Sequence, residues 1–466
     1  MSEEILETSG DWADAAVVEH KHTRISSFIF VWICITLIFS TLAYGAVDAW
    51  AWGFLSFGAI ITIILWLIEA IKHKSLKLNT NSLQIPIIAL IIIGIIQLLP
   101  LRNFGISDDL LSIPAVSSLS LDPYSTRFAI IQLFIFIIFF ASTLTFINDQ
   151  KRLRKMGFFI IIFGTLMAFF GIIQRLSGAD SIYGLRPSPH AIPFASFVNR
   201  HHFASFMLMT LGVTLSLLYG KALVKEKQLL GIFAAILMSL AIIFTGSRGG
   251  LLSFFGVLIF VVVAHILNKD ETETENPKNK FAIIGGSFIL VLVLIFGVLY
   301  LGGSDSLMRS VGIGEGLKED FSTGRFHIWQ IALQIIRDYP IFGVGLDAFG
   351  VAYTKYDTSN GSMAIFRAHN DYLQILADAG IIGFACVIGF IVLLFKKGLP
   401  IMSKSKDRFR KSLSIGSLGG CLGILIHSFF DFPLRTPSNM LFFLTLATLA
   451  VASIHYPKVI RRNPRN

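Results

Sequence analysis

A chain of 466 residues with 54% hydrophobic and only 15% charged side chains, and a mean hydropathy of +0.72, is far more apolar than a soluble domain, whose charged fraction is about 25%. This excludes a soluble globular enzyme and describes an integral membrane protein. The formal charge of +10 does not point to nucleic acid, because the basic residues sit in short runs between apolar stretches, as membrane orientation signals do.

Residues 1–24 are polar and mostly acidic, from Glu3 and Glu4 to Glu19 ahead of Lys21 and Arg24, and read as a flexible tail. The apolar run at 25–44 is long enough to span and lacks the short basic start of a secretory signal, so it is expected to be an uncleaved first span. Crossing about 30 Å of hydrocarbon takes roughly 20 apolar residues. On that rule the chain is an all-α protein with twelve transmembrane helices, near 25–44, 49–71, 84–101, 127–147, 157–176, 194–219, 229–246, 249–267, 281–301, 371–395, 412–431 and 438–455. Barrel strands would instead alternate over about ten residues. The spans divide the chain into 1–24, a tail; 25–301, nine helices; 302–370, a polar loop domain; 371–455, three helices; and 456–466, a basic tail. Cys34, Cys386 and Cys421 lie within apolar runs, where a small buried hydrophobe is the expected role.

Cytoplasmic segments carry the excess of lysine and arginine. With both termini inside, 26 of the 39 basic residues fall in inner segments, and the 302–370 loop faces outward. Among the outer basic residues only Lys318 and Lys355 are lysines, against eleven arginines. Arginine presents a permanently charged, planar fork suited to phosphate. Lysine depletion outside is also part of the topology signal, and arginines snorkel to headgroups, so only Arg200, Arg248 and Arg325 are singled out. The run Asp270–Glu275 reads as a solvated linker, and Asp108–Asp109 as a helix start rather than a cation site.

Within the outer loop, Thr323–Asp338 sets Ile328, Ile331, Ala332, Ile335 and Ile336 at helical spacing, with Arg325 in the first turn and Pro340 just beyond the end. Such a helix either lies on the membrane surface or presents Arg325 to a ligand. Asp347 is placed to cap a short helix through Tyr353. His369 precedes Asn370, a good N-cap, where the helix dipole disfavours a protonated ring, and a neutral imidazole facing an outer cavity suits a general base. Asp371, Gln374 and Asp378 extend a polar face along the tenth span, and carboxylates at membrane depth are functional candidates.

Three other outer stretches can converge on His369. Asn199-Arg-His-His-Phe-Ala204 opens the sixth span with Arg200, His201 and His202; adjacent histidines point apart on a helix, so a metal site is not expected. Ser247-Arg-Gly-Gly250 is a tight turn whose glycines would let a phosphate approach the backbone. His427 and Asp431, four residues apart, read as a histidine held by its helix neighbour.

Asn-Arg-His-His-Phe-Ala at 199–204, Ser-Arg-Gly-Gly at 247–250, Gly-Arg-x3-Trp at 324–329, Asp-Tyr-Pro-x2-Gly-x-Gly at 338–345 and His-Asn-x2-Leu-x6-Gly at 369–380 together resemble the O-antigen ligase and polymerase superfamily, over roughly 190–450. The resemblance implies a GT-C-like bacterial inner-membrane glycosyltransferase, metal- and cofactor-independent, with both termini cytoplasmic. It would take a glycan from undecaprenyl pyrophosphate at the periplasmic face and transfer it, inverting the anomeric centre, to a hydroxyl of another glycan, of lipid A–core or of a protein. His369 would then be the base, Arg248 and Arg325 the pyrophosphate clamp, and Arg200 and Arg367 secondary clamps. Asp371, Asp378 and His202 are supporting candidates that the family pattern does not assign. A solute transporter, such as bicarbonate-type relatives, is the alternative from another class. It is disfavoured because coupled transporters place charges and broken helices at mid-membrane, where ionisable residues are almost absent in this sequence. A non-catalytic envelope scaffold is a third reading, set back by the grouped arginines and histidine.

Overall fold

The computed structural model describes residues 23–101, 117–179, 181–187, 192–268, 324–358 and 364–452. Thirteen α-helices account for nearly all of it: α1 Arg24–Leu42, α2 Ala49–His73, α3 Gln84–Gln97, α4 Pro123–Phe146, α5 Gln150–Leu176, α6 Arg200–Tyr219, α7 Lys225–Phe244, α8 Arg248–Leu267, α9 Gly324–Asp338, α10 Phe349–Tyr356, α11 Asp371–Lys404, α12 Arg408–His427 and α13 Pro437–Val451. Nine of these are long and apolar enough to cross a membrane, and α3 and α13 are shorter apolar helices. Eleven of the predicted spans therefore have a helix among the described residues. The expected ninth, at 281–301, lies outside them, as do Asp108–Asp109 and the 270–275 run.

Helix starts follow side-chain capping chemistry. Thr23, Asp122, Asp149, Asn199, Ser247, Asn370 and Asp407 each accept a backbone N–H from the first turn of the helix they precede. These caps move several boundaries from their predicted places. Asp149 starts α5 at Gln150, before the basic run 151–155, and Asp407 starts α12 at Arg408, four residues earlier than hydropathy suggests. At one end of the bundle, basic side chains close helix C-termini: Arg152 Nη1 donates to the Phe146 carbonyl, Arg410 Nε to that of Ala452, and Lys411 Nζ to that of Asn268.

The centre of the bundle is α6 against α12, both buried over most of their length. Glycines make that crossing possible. A Cβ at Gly212 would lie 2.7 Å from the Gly420 nitrogen, and one at Gly416 2.7 Å from the Gly212 carbonyl oxygen. This is the close backbone approach that small residues permit between membrane helices.

The largest departure from the predicted spans is in α11. Its helix is broken at Gly380 (φ +63°, ψ −164°), so that 371–379 is a separate segment from the run Ile381–Lys404. The turn-forming stretch 340–345 fills the break. The Ile381 N–H donates to the Pro340 carbonyl at 2.8 Å, the Val344 N–H to Ala377 at 2.9 Å and the Gly345 N–H to Asp378 at 3.0 Å. Gln97, at the end of α3, completes the joint: its Nε2 donates to the carbonyls of Phe342 (2.6 Å) and Asp378 (2.8 Å), while its Oε1 receives the Leu346 N–H (2.9 Å). Asp378, singled out in the sequence as a carboxylate at membrane depth, sits beside this break and is fully buried.

α9 also departs from one of its two predicted roles. Ile328, Ile331, Ala332 and Ile335 are buried against Val344, Ala348, Phe349, Ala352, Ala368 and Ala377. Its apolar stripe faces the protein rather than a membrane surface, and each buried isoleucine contributes about 2 kcal/mol to that packing.

Filling the helix break should be the least tolerant feature of the fold. A Cβ at Gly380 would come within 2.2 Å of the Ile341 carbonyl oxygen, and one at Gly343 within 2.5 Å of the Ala377 carbonyl oxygen. Both residues have positive φ. Gly380→Ala is expected to lower thermal stability in detergent by at least about 2 kcal/mol, whereas Gly53→Ala, which meets nothing within 4 Å, should leave the melting temperature unchanged.

Candidate functional site

The starts of α6, α8, α11 and α13 and the end of α12 meet at one end of the bundle, beneath the lobe built from α9 and α10. His369 stands where they join. Its backbone is left-handed (φ +49°), which costs a non-glycine residue about 1 kcal/mol or more. Neighbours on every side hold it there. Trp329 Nε1 donates to the Ala368 carbonyl at 2.9 Å, and the Ala368 N–H donates to Gln374 Oε1 at 2.7 Å. Asn370 caps α11 through its Oδ1 and donates from Nδ2 to the Phe429 carbonyl at 3.1 Å, and the Asp371 N–H donates to Ser428.

The His369 side chain is 33% exposed, while its partner Asp431 is 2% exposed; Nδ1 and Oδ1 are 3.3 Å apart. Burial pushes the Asp431 carboxyl up, but the hydrogen bond from His369 and the neighbouring imidazoles of His202 and His201 outweigh it and hold the group well below the usual carboxylate range. An ionised carboxylate only accepts, so Nδ1 carries the proton and the lone pair is on Nε2. Because the native value lies below the unfolded one, Asp431 contributes its stability fully above about pH 4 and loses it only as pH falls toward the lowered native value. Asp431 therefore does not hold His427, as the spacing suggested. α12 ends at His427, and that ring bonds instead to Ser205 Oγ (2.5 Å) and Ser247 Oγ (3.3 Å).

Ser247 organises the second part of the site. Its Oγ receives the Gly250 N–H and lies 2.9 Å from His201 Nδ1, so two histidines and a helix cap share one hydroxyl. This fixes the first turn of α8, whose first residue is Arg248. The glycines serve packing here: a Cβ at Gly249 would lie 2.8 Å from His427 Cδ2. Arg325 and Arg200 share this neighbourhood, since the charge of each acts on His201 and that of Arg325 also on His427. Arg325 precedes Trp329 by one helical turn, so the helix that carries the arginine also pins the residue before His369.

The remaining candidates fall in a separate network. Arg367 is paired with Asp347, and Arg435 joins Asp347 (3.2 Å) to Asp378 (2.6 Å). Burial works against the Arg435 charge, but Asp378, Asp347 and Asp371 more than offset it and raise its pKa above the usual value. Asp347 thus binds two arginines instead of capping α10, whose N-cap is Ala348. Asp371 accepts from Ser428 Oγ (2.9 Å) and the Leu434 N–H (3.2 Å). His202 is buried between α6 and α13, its Nδ1 2.7 Å from Thr436 Oγ1. Arg435, set aside in the sequence as one of many outer arginines, and Asp431 are the residues that sequence reasoning undervalued. Their Pro-x-Arg and His-x3-Asp settings were the available signals.

Residues 233–388 match a family model described as O-antigen ligase. A curated relative, exopolysaccharide production protein ExoQ of Rhizobium meliloti (strain 1021), is 26% identical over 168 residues, 35% of this chain and 37% of that protein. The matched region thus spans little more than a third of that relative's length. The O-antigen ligase segment is narrower than the stretch over which the motifs resemble the family. It holds Arg248, Arg325, Trp329, Asp347, Arg367, His369 and Asp378, while Arg200, His202, His427, Asp431 and Arg435 come from outside it. The multi-pass bundle completes a site that the segment alone leaves without its carboxylate.

The two networks should separate in experiment. Asp378→Ala leaves Arg435 without one of its buried partners and should cost about 3–5 kcal/mol, read as loss of monodisperse protein on size exclusion. Arg248→Ala, at the start of a helix capped by Ser247 rather than by the arginine, should leave the elution profile unchanged.

Proposed function

We propose that the protein is a glycosyltransferase that transfers a glycan from a polyprenyl pyrophosphate carrier, undecaprenyl pyrophosphate in bacteria, to an acceptor hydroxyl. The observation that carries this reading is the partly exposed His369 ring held through Nδ1 by the buried Asp431 carboxylate, in a neighbourhood where Arg325 and Arg200 act on His201 and Arg248 opens α8 beside it. His369 Nε2 takes the acceptor proton as the acceptor oxygen attacks the anomeric carbon. The bond from that carbon to the pyrophosphate oxygen breaks, and Arg325 and Arg248 stabilise the charge that grows there. Attack opposite the leaving group inverts the anomeric centre. Arg200 is a secondary contact. Arg367, tied to Asp347, acts by holding the stretch 364–369, and Asp371 and Asp378 act by holding the loop around Arg435.

The same reading sets the topology. Twelve spans, with the described helices and one at 281–301, put both termini on the cytoplasmic side of the inner membrane and 302–370 in the periplasm, where lipid-linked glycans are displayed. The name of the curated relative supports exopolysaccharide as the product. A lipid A–core or protein acceptor would use the same base and clamp. The broken helix revives the transporter alternative only in part, because 340–345 and Gln97 already bond the backbone groups of Ala377, Asp378 and Ile381 at the break.

Purified protein given lipid-linked glycan extracted from the producing cells, with glycan, lipid A–core or peptide as acceptor, tests both reaction and acceptor. His369→Ala should lower turnover by about 10²–10⁴-fold with KM little changed. Arg325→Ala and Arg248→Ala should each lower it by about 10²–10³-fold. Undiminished transfer by folded His369→Ala protein would falsify the assignment of the base.

A further inference from the structure

A second histidine stands beside Asp431, and nothing in the reaction above uses it. His202 is 7% exposed and Asp431 1%, yet His202 Nε2 and Asp431 Oδ2 have no hydrogen-bond partner among the described residues. The other atoms of both groups are engaged: His202 Nδ1 with Thr436 Oγ1, and Asp431 Oδ1 with His369 Nδ1 and the Phe432 N–H (2.9 Å). Both imidazoles meet the Phe432 ring edge to face, with centroids 4.9 Å away in each case. His202 and His369 therefore flank the residue that follows Asp431, and the Asp431 charge acts directly on His202. A buried polar atom without a partner costs about 1–3 kcal/mol, and a donor and an acceptor so left, on a histidine and on the carboxylate whose charge acts on it, are what a single bound water can serve.

We propose that His202 is a positioning residue for Asp431, donating from Nε2 to Oδ2 through one bound water while the Thr436 hydroxyl donates to its Nδ1. The carboxylate then has a donor on each oxygen: His369 on one, His202 through water on the other. Shared in this way, it orients the His369 ring without holding the imidazolium so tightly that the ring keeps its proton. The groups that face Asp431 are His201 and His202 from α6, His427 from α12, and His369 and Asp371 at the start of α11, with Arg325 from α9 acting on two of these histidines. Of these, only His202 is both buried and short of a hydrogen-bond partner. The inference rests on His369 being the base, but its test does not require turnover.

Diethyl pyrocarbonate modifies neutral imidazole, and His369 is exposed where His202 is buried, so the pH dependence of modification at His369, followed by peptide mass spectrometry, reads the state of that ring alone. In His202→Phe the carboxylate loses its second donor and binds the imidazolium more strongly. The midpoint should move up by about one pH unit. His202→Gln, whose amide can still donate, should restore it, and Thr436→Val should move it in the same direction as His202→Phe by a smaller amount. An unmoved midpoint in folded His202→Phe overturns the proposal; if that variant does not fold, an unmoved midpoint in Thr436→Val does so. Retention of transfer by His369→Ala would remove the base assignment while leaving this midpoint result standing, so the two failures are distinguishable.

Discussion

A backbone amide or carbonyl at membrane depth costs several kcal/mol if it has no partner, and the break at Gly380 exposes several at once. The chain answers with its own residues 340–345 and one glutamine side chain from α3. Most of the site depends on this closure. Residues 340–345 lead straight into Asp347, and the broken helix carries Asp378, so both partners of Arg435 are placed by the same joint. Arg435 in turn sits four residues after Asp431, and Asp347 also holds Arg367, two residues before His369. A backbone repair and an ion-pair network are thus one construction, with the reactive histidine and its carboxylate at its two ends.

This explains why the glycines of the 338–345 and 369–380 motifs accompany residues of chemical interest without touching a ligand. Gly343 and Gly380 are needed because backbone passes against backbone, at distances no side chain allows. Trp329 has a comparable place. Its indole fixes the residue before His369 while its helix carries Arg325, so His369 and Arg325 are indexed to each other through one rigid turn.

Hydropathy made the bundle legible, because a span is a local property: about 20 apolar residues show themselves without any partner. The one misread span, at 371–395, failed where locality failed. Gly380 inside an apolar run looks like an ordinary helical glycine, and only the distant 340–345 segment turns it into a break. The arginines show the same limit. Eleven outer arginines could be sorted by charge type but not by partner, and the pairs that engage Arg367 and Arg435 join positions 20 to 88 residues apart. His369 was legible from its place before an N-cap, whereas Asp431, 62 residues away, was matched in sequence to the wrong histidine because a four-residue spacing implies a helix that has already ended.

Misplacing Asp431 also changes the physical account of the base. From the sequence, the helix dipole alone kept His369 neutral. In the structure a buried carboxylate stands on Nδ1, an influence that favours the imidazolium and opposes the dipole. A base in that position needs its carboxylate ionised, to fix the tautomer, yet partly occupied elsewhere, so that the proton can leave after transfer. Strong pairing alone would give orientation without turnover. The ring of imidazoles around Asp431, together with the clamp arginine that acts on two of them, is a means of dividing one negative charge among several donors. With Asp347, Asp378 and Asp371 committed to Arg367, Arg435 and the Ser428 turn, that division falls to the histidines.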